Sequence, residues 1–138
     1  MSVGILLITH GNIGEDLANT AEQMLGSLPL PVARLAVYPA ADPDRLYDQA
    51  ASLCRQIDQG DGVLVLTDIF GSTPGNIACR LKQWPHVRIL AGLNLPMLIR
   101  ILNYPTLPLD ILSQKALSAG HEGVFDCQQP PGFKSELG

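Results

Sequence analysis

Two residues and one loop in this sequence have the types and placement that phosphoryl chemistry asks for. His10 follows the apolar run Val3 to Ile8 and precedes Gly11, so an imidazole stands at the end of a buried strand with no side-chain bulk beside it. Asp68 holds the equivalent place after the run Gly62 to Thr67. If the two strands are neighbours, the carboxylate can accept a hydrogen bond from His10 Nδ1–H, which fixes the tautomer and leaves Nε2 free as a nucleophile. The alternative is that Asp68 only caps a turn at a strand end and His10 is structural; the residues by themselves leave both open. Gly71-Ser72-Thr73-Pro74 is the loop. A helix opening at Pro74, with Thr73 as its cap, would aim unpaired N–H groups and the hydroxyls of Ser72 and Thr73 at an anion.

Strands and helices alternate along the chain in a way that positions these groups. Val3 to Thr9 is near-continuously apolar, as expected of a parallel strand covered on both faces. Leu17, Ala21, Met24, Leu25 and Leu28 then recur at helical spacing over about 14–28, ended by Pro29 and Pro31. Val32 to Tyr38 is a second strand. Asp42-Pro43 reads as a cap followed by proline in the first helical turn, with Leu46, Ala50, Leu53, Cys54 and Ile57 as the apolar stripe. Gly62 to Thr67 is the third strand and Val87 to Gly92 the fourth. Helices are expected from Asn94 to about Leu102 and from Leu109 to Ala119, and Gly120 to Cys127 is expected to hold a short last strand. This order predicts an α/β fold with a mostly parallel sheet, helices on both faces and right-handed crossovers. Ligands in such a sheet sit beyond the carboxyl ends of the strands. Thr9-His10-Gly11, Asp68 to Asn76 and Gly92-Leu-Asn-Leu-Pro96 are all predicted at that edge.

Composition removes several function classes. At 138 residues the chain makes one domain of ordinary size, expected over 1–127 with a loose tail over 128–138. Hydrophobic residues are 46% and charged residues 16%, enough to bury a core. Thirteen acids against nine bases leave a net charge of -4, the wrong sign for a duplex binder that neutralises phosphates with clustered bases. The six-residue apolar run at the N-terminus lacks a basic flank and meets polar residues at once, so it is expected to be a strand, with no membrane insertion. Cys54, Cys79 and Cys127 are too few and too spread for a Cys-rich zinc site and read as reduced core thiols of a cytoplasmic protein. Neither Gly-x-x-x-x-Gly-Lys-[Ser/Thr] nor Gly-x-Gly-x-x-Gly occurs, so no nucleotide cofactor is expected. A nucleophilic histidine without a nucleotide pocket of a known kind has to draw its phosphate from another protein.

At this point the residues resemble a known family. Thr9-His10-Gly11, Asp68-Ile-Phe-Gly-Ser-Thr-Pro-Gly-Asn76 and Ala91-Gly-Leu-Asn-Leu-Pro-Met-Leu98 are similar, in order and spacing, to the motifs of the IIA component of the mannose family of the bacterial sugar phosphotransferase system. The resemblance runs from Met1 to about Asp126. It implies a flavodoxin-like domain in which His10 is charged by the phosphocarrier protein HPr and discharged onto a IIB component, with Asp68 orienting the histidine. Thr73 falls where the family usually has a serine that contacts the phosphoryl group. Phe70, Ser72 and Gly75 depart from the tryptophan, glycine and bulkier aromatic of better-known members. The resemblance also implies a homodimer with a C-terminal strand exchanged onto the partner's sheet, for which 122–127 is in the right place. Some members continue through a linker into a IIB domain, and since this chain stops where that linker would begin, any IIB component is expected to be a separate protein or absent.

Phosphoryl transfer is mostly positioning and charge stabilisation. On this reading His10 Nε2 attacks in line, while N–H groups from Gly71 to Gly75 and the Thr73 hydroxyl hold the equatorial oxygens. The Asp68 charge enriches the imidazole and opposes the bound phosphate, which keeps the phosphohistidine reactive. Three other readings compete. A small tetrapyrrole metal chelatase also places His-Gly after its first strand, but needs a second histidine nearby, and only His86 and His121 are present. A phosphotransfer subunit of the dihydroxyacetone kinase type keeps the phosphohistidine but departs at Gly92 to Pro96. A regulatory sensor would use the phosphohistidine as a signal to a regulatory target.

Overall fold

The computed structural model describes residues 2–131. Four parallel strands, β1 (Gly4–His10), β2 (Val32–Val37), β3 (Val63–Thr67) and β4 (Val87–Ala91), form one sheet in the order β2-β1-β3-β4. Five helices connect and follow them: α1 (Ile13–Leu25), α2 (Pro43–Ile57), α3 (Thr73–Arg80), α4 (Leu95–Leu102) and α5 (Leu109–Glu122). This is the α/β arrangement expected from the alternation of patterns, and it has the flavodoxin-like form that the resemblance implies.

Burial explains the order. Ile5, Leu6, Leu7 and Ile8 of β1 are all fully buried, as only a central strand covered on both faces can be. Each such side chain contributes roughly 1.5–3 kcal/mol when removed from water. Ile5 and Leu7 point into a core shared with α1, α4 and α5, and Leu6 and Ile8 into a core shared with α2 and α3. One strand therefore anchors both helical layers, and His10 is its first residue to emerge.

Local signals set the helix ends, with some corrections. Asp42 caps α2 as predicted, its Oδ1 accepting the Asp44 N–H at 3.1 Å. Helix α1 stops at Leu25, because Gly26 takes the left-handed conformation (φ 86) and closes the helix before the prolines. Leu28 therefore lies outside the helix, and Met24 is exposed rather than part of the core stripe. The cap of α3 is Ser72, one residue before the predicted Thr73, which places Thr73 and Pro74 inside the first turn. Helix α5 runs on to Glu122, and 123–127 forms no strand within this chain. The helical hydrogen-bond pattern persists past Gly120, with the Gly123 N–H on the Ala119 carbonyl at 2.9 Å. The fifth strand predicted over 120–127 is thus absent among the described residues. Of the expected tail, 132–138 lies outside them.

The thiols also need correction. Cys54 is a core thiol, and burial together with the nearby Asp58 charge pushes its pKa up to about 11, so it is inert. Cys79 is half-buried and Cys127 is exposed.

Candidate functional site: the histidine cleft at the sheet edge

Parallel pairing of β1 with β3 brings His10 and Asp68 to the same carboxyl edge, since Ile8 lies opposite Thr67. The Asp68 carboxylate holds His10 twice. Oδ2 accepts the His10 main-chain N–H at 3.1 Å and lies 2.9 Å from Nδ1 of the ring. Oδ1 takes the Ile69 N–H at 3.0 Å. The reading of Asp68 as a mere turn cap is therefore too narrow, because the same carboxylate bonds the imidazole. A carboxylate facing Nδ1 favours the neutral tautomer that is protonated there, in which the lone pair on Nε2 is free.

Exposure divides the pair. The Asp68 side chain is 13% exposed and the His10 side chain 48%. Burial alone would push the Asp68 carboxyl up, but the hydrogen bonds from the His10 ring and main chain, with the attraction of a charged imidazole, overcome it and hold the carboxyl below its ordinary value. Asp68 thus stays ionised through the neutral range and remains an acceptor for Nδ1–H.

His10 opens into a cleft of about 650 Å³ that is also lined by Gly11, Val37, Tyr38, Pro39, Ala41, Pro43, Thr73 and Pro74. The start of α3 forms one wall. Its first-turn N–H groups have no partner within the helix, and Pro74 supplies none, so Thr73 and Gly75 are the donors an anion would meet. Gly71 makes the turn into this helix at φ 84, where a side chain would be strained. Gly75 packs so closely that a Cβ there would lie 2.9 Å from the Ile69 carbonyl. A side chain at position 75 would therefore force this loop away from the helix.

Of the predicted phosphate-binding residues, Thr73 shares the cleft with His10. Ser72 donates through Oγ to the Ile69 carbonyl at 3.0 Å. It shapes the loop, and its carbonyl starts the helix by accepting the Asn76 N–H at 2.7 Å. Three contributors were missed from sequence. Thr9 is buried and its Oγ1 accepts the Gly14 N–H at 2.8 Å, tying β1 to α1. Tyr38 and Asn12 face each other across Gly11, the Tyr38 hydroxyl donating to Asn12 Oδ1 at 2.8 Å. The available signal was that Tyr38 directly follows β2, whose end lies level with His10.

The other histidines stand elsewhere. His86 precedes β4, at the opposite edge of a parallel sheet from His10. His121 ends α5 and lines a separate cleft with Ala91 and Gly92. Among the described residues, no cluster of His, Cys, Asp and Glu is arranged to hold a metal. Nor, among them, is any helix long and apolar enough to cross a membrane.

Comparison with known proteins gives this edge its context. The family model described as "PTS system fructose IIA component" matches residues 4–105, which includes His10, Asp68 and Thr73. This chain belongs to the EIIA-man family. It is 33% identical over 140 aligned positions to the mannose-specific EIIAB component of Escherichia coli K12. That alignment takes in 98% of this chain and 42% of the relative, so the chain spans less than half the length of that protein. A Bacillus subtilis transcriptional regulatory protein, LevR, is 25% identical over 81% of this chain and 12% of its own length. Among solved structures, the mannose/sorbose-specific IIA subunit from Enterococcus faecalis superposes with a TM-score of 0.83 at 26% identity, over 95% of this chain and 98% of that one. The EIIA component from Streptococcus agalactiae gives 0.78 at 26% identity, over 93% and 98%. The family membership and the flavodoxin-like topology therefore agree.

The lowered Asp68 pKa has a consequence for stability. A carboxyl held below its ordinary value in the folded state stabilises the fold above the ordinary carboxylate range, and that contribution fades as pH falls through the lowered value. The urea midpoint of the wild type is expected to fall more steeply than that of Asp68→Asn between about pH 5 and about pH 2. Parallel curves for the two proteins would show that the carboxylate is not stabilised by His10.

Proposed function

We propose that this chain is a phosphohistidine relay protein of the sugar phosphotransferase system, taking a phosphoryl group from HPr on His10 Nε2. The observation that carries the reading is the Asp68 bond to Nδ1 at 2.9 Å, which presents Nε2 to a cleft walled by the start of a helix. The Nε2 lone pair attacks phosphorus in line as the bond to the carrier's imidazole breaks, and that imidazole leaves with the electron pair. The incoming oxygens meet the N–H groups of Thr73 and Gly75 and the Thr73 hydroxyl. Gly71 and Ser72 act by shaping the loop that aims this helix. In the second transfer Nε2 is the leaving group, and the nearby Asp68 charge keeps that bond labile.

The acceptor is a IIB component or a regulatory target. Similarity to a transcriptional regulator over 81% of this chain favours keeping the regulatory output beside sugar transport. A protein donor is supported by the apolar rim of the site. Phe70 is 77% exposed, and Ile69 and Tyr38 on the loops flanking His10 and Ile13 at the start of α1 are exposed with it. Such a rim suits a macromolecular partner better than a small polar donor. The chelatase reading loses its second histidine to the opposite edge or to another cleft, and no comparison favours the dihydroxyacetone kinase type. The compartment that holds such a relay is the cytoplasm. The domain proper is 1–127. A homodimer is part of the proposal: among the described residues β4 pairs only with β3 and leaves an open edge, and 123–127, with Val124 and Phe125 exposed, supplies a segment that a partner's β4 edge can take.

Incubation with phosphoenolpyruvate, enzyme I and HPr is expected to add one acid-labile phosphoryl mass to the wild type and none to His10→Ala. Asp68→Asn is expected to be charged about ten- to a hundredfold more slowly, the loss of one charge-assisted hydrogen bond. An unmodified wild type would overturn the relay, and an unslowed Asp68→Asn would overturn the role given to the carboxylate.

A further inference from the structure

Asn12 has the side chain of a helix cap and does not use it as one. It stands immediately before α1 with no capping bond from its side chain. That task falls to Thr9, whose Oγ1 accepts the Gly14 N–H. The Asn12 amide is directed instead across the mouth of the cleft, where Oδ1 accepts the Tyr38 hydroxyl at 2.8 Å.

This bond pins an aromatic ring that lines the His10 cleft. The Tyr38 main chain is fixed on both sides: Val37, before it, accepts the Gly11 N–H at 2.8 Å, and the Tyr38 carbonyl accepts the Ala41 N–H at 3.1 Å. The ring lies over Gly11, where a Cβ would come within 3.7 Å of Tyr38 Cε1. Tyr38, Thr73 and Pro74 thus line the same cleft into which His10 opens. With Nδ1 committed to Asp68, the ring edge left for the cleft is the one that carries Nε2.

We propose that Tyr38, held by Asn12, is a positioning residue that shields a phosphoryl group on His10 from water. The inference rests on the relay reading above and adds a residue pair to it. The side reaction that a relay must suppress is hydrolysis, in which a water oxygen bonds to phosphorus as the P–Nε2 bond breaks and the imidazole takes up the proton. A fixed ring beside the phosphoryl group narrows the mouth through which water reaches phosphorus, whereas an unpinned ring swings clear. The hydroxyl, donating to Asn12, anchors the wall and does not bind the phosphoryl oxygens.

The test charges the full chain with potassium phosphoramidate, which phosphorylates histidine without a partner protein. After the reagent is removed, loss of phosphoryl from His10 is followed by phosphorus NMR at neutral pH, with His10→Ala marking the signals of His86 and His121. Tyr38→Ala is expected to lose its phosphoryl group about tenfold faster than the wild type, and Tyr38→Phe and Asn12→Ala each about threefold faster. The Tyr38→Phe/Asn12→Ala double variant is expected to be no faster than either single one, because both remove the same bond. Should Tyr38→Ala fail to fold, the two milder variants carry the comparison, with melting temperatures measured alongside. Half-lives equal to the wild type would overturn the role of Tyr38 and leave the relay standing. A wild type that takes no phosphoryl group on His10 from either phosphoramidate or HPr would overturn both.

Discussion

The function of this edge depends on one carboxylate. Asp68 Oδ2 receives both the ring and the main chain of His10, so the end of β1 and the end of β3 are joined at the point where the sheet opens to solvent. A single bond to the ring would orient it loosely. The second, to the main chain, fixes the strand end from which the ring projects. Two opposing effects then coexist. Partial burial disfavours the charge on Asp68, and the hydrogen bonds outweigh it, which leaves a fixed negative group behind the imidazole. On the proposed relay, that group leaves Nε2 as the reactive nitrogen and also opposes a phosphate placed there. A group that both accepts and releases phosphate benefits from that balance, whereas one that stores phosphate would not.

The rest of the fold holds this pair still. Four fully buried residues of β1 lock the strand between two helical layers, and the parallel register with β3 sets Asp68 level with His10. Thr9 ties the strand end to α1 from the other face. The α3 wall depends on Gly71 for its turn and on Gly75 for its close approach to the Ile69 carbonyl. Mobility in any of these would be felt as imprecision at Nε2, because in-line transfer tolerates little misplacement.

Much of this was legible in the sequence, and the reasons differ by element. Unbroken apolar runs could only be covered parallel strands, so the sheet and the carboxyl edge followed from them. Asp42-Pro43 announced the start of α2 without ambiguity. Helix ends governed by glycine were less legible: Gly26 ended α1 earlier than the prolines suggested, and α5 ran past Gly120 because its hydrogen bonds continue to Gly123. Position 72 illustrates a different difficulty, since a serine beside a helix start can cap, contact a ligand or tie a loop, and the Ile69 carbonyl decides the matter only in three dimensions. Tyr38 was legible only as the residue that follows β2. Its importance lies in a contact with Asn12, 26 residues away, and no local pattern encodes that.

The most direct test of the account is which nitrogen of His10 carries the phosphoryl group. Nitrogen NMR on labelled protein, charged by HPr, distinguishes phosphorylation at Nε2 from that at Nδ1. A phosphoryl group on Nε2, with Nδ1 still protonated and bonded to Asp68, is the predicted result. A phosphoryl group on Nδ1 would contradict the account, because it would require the Asp68 bond on which the site is built to be broken.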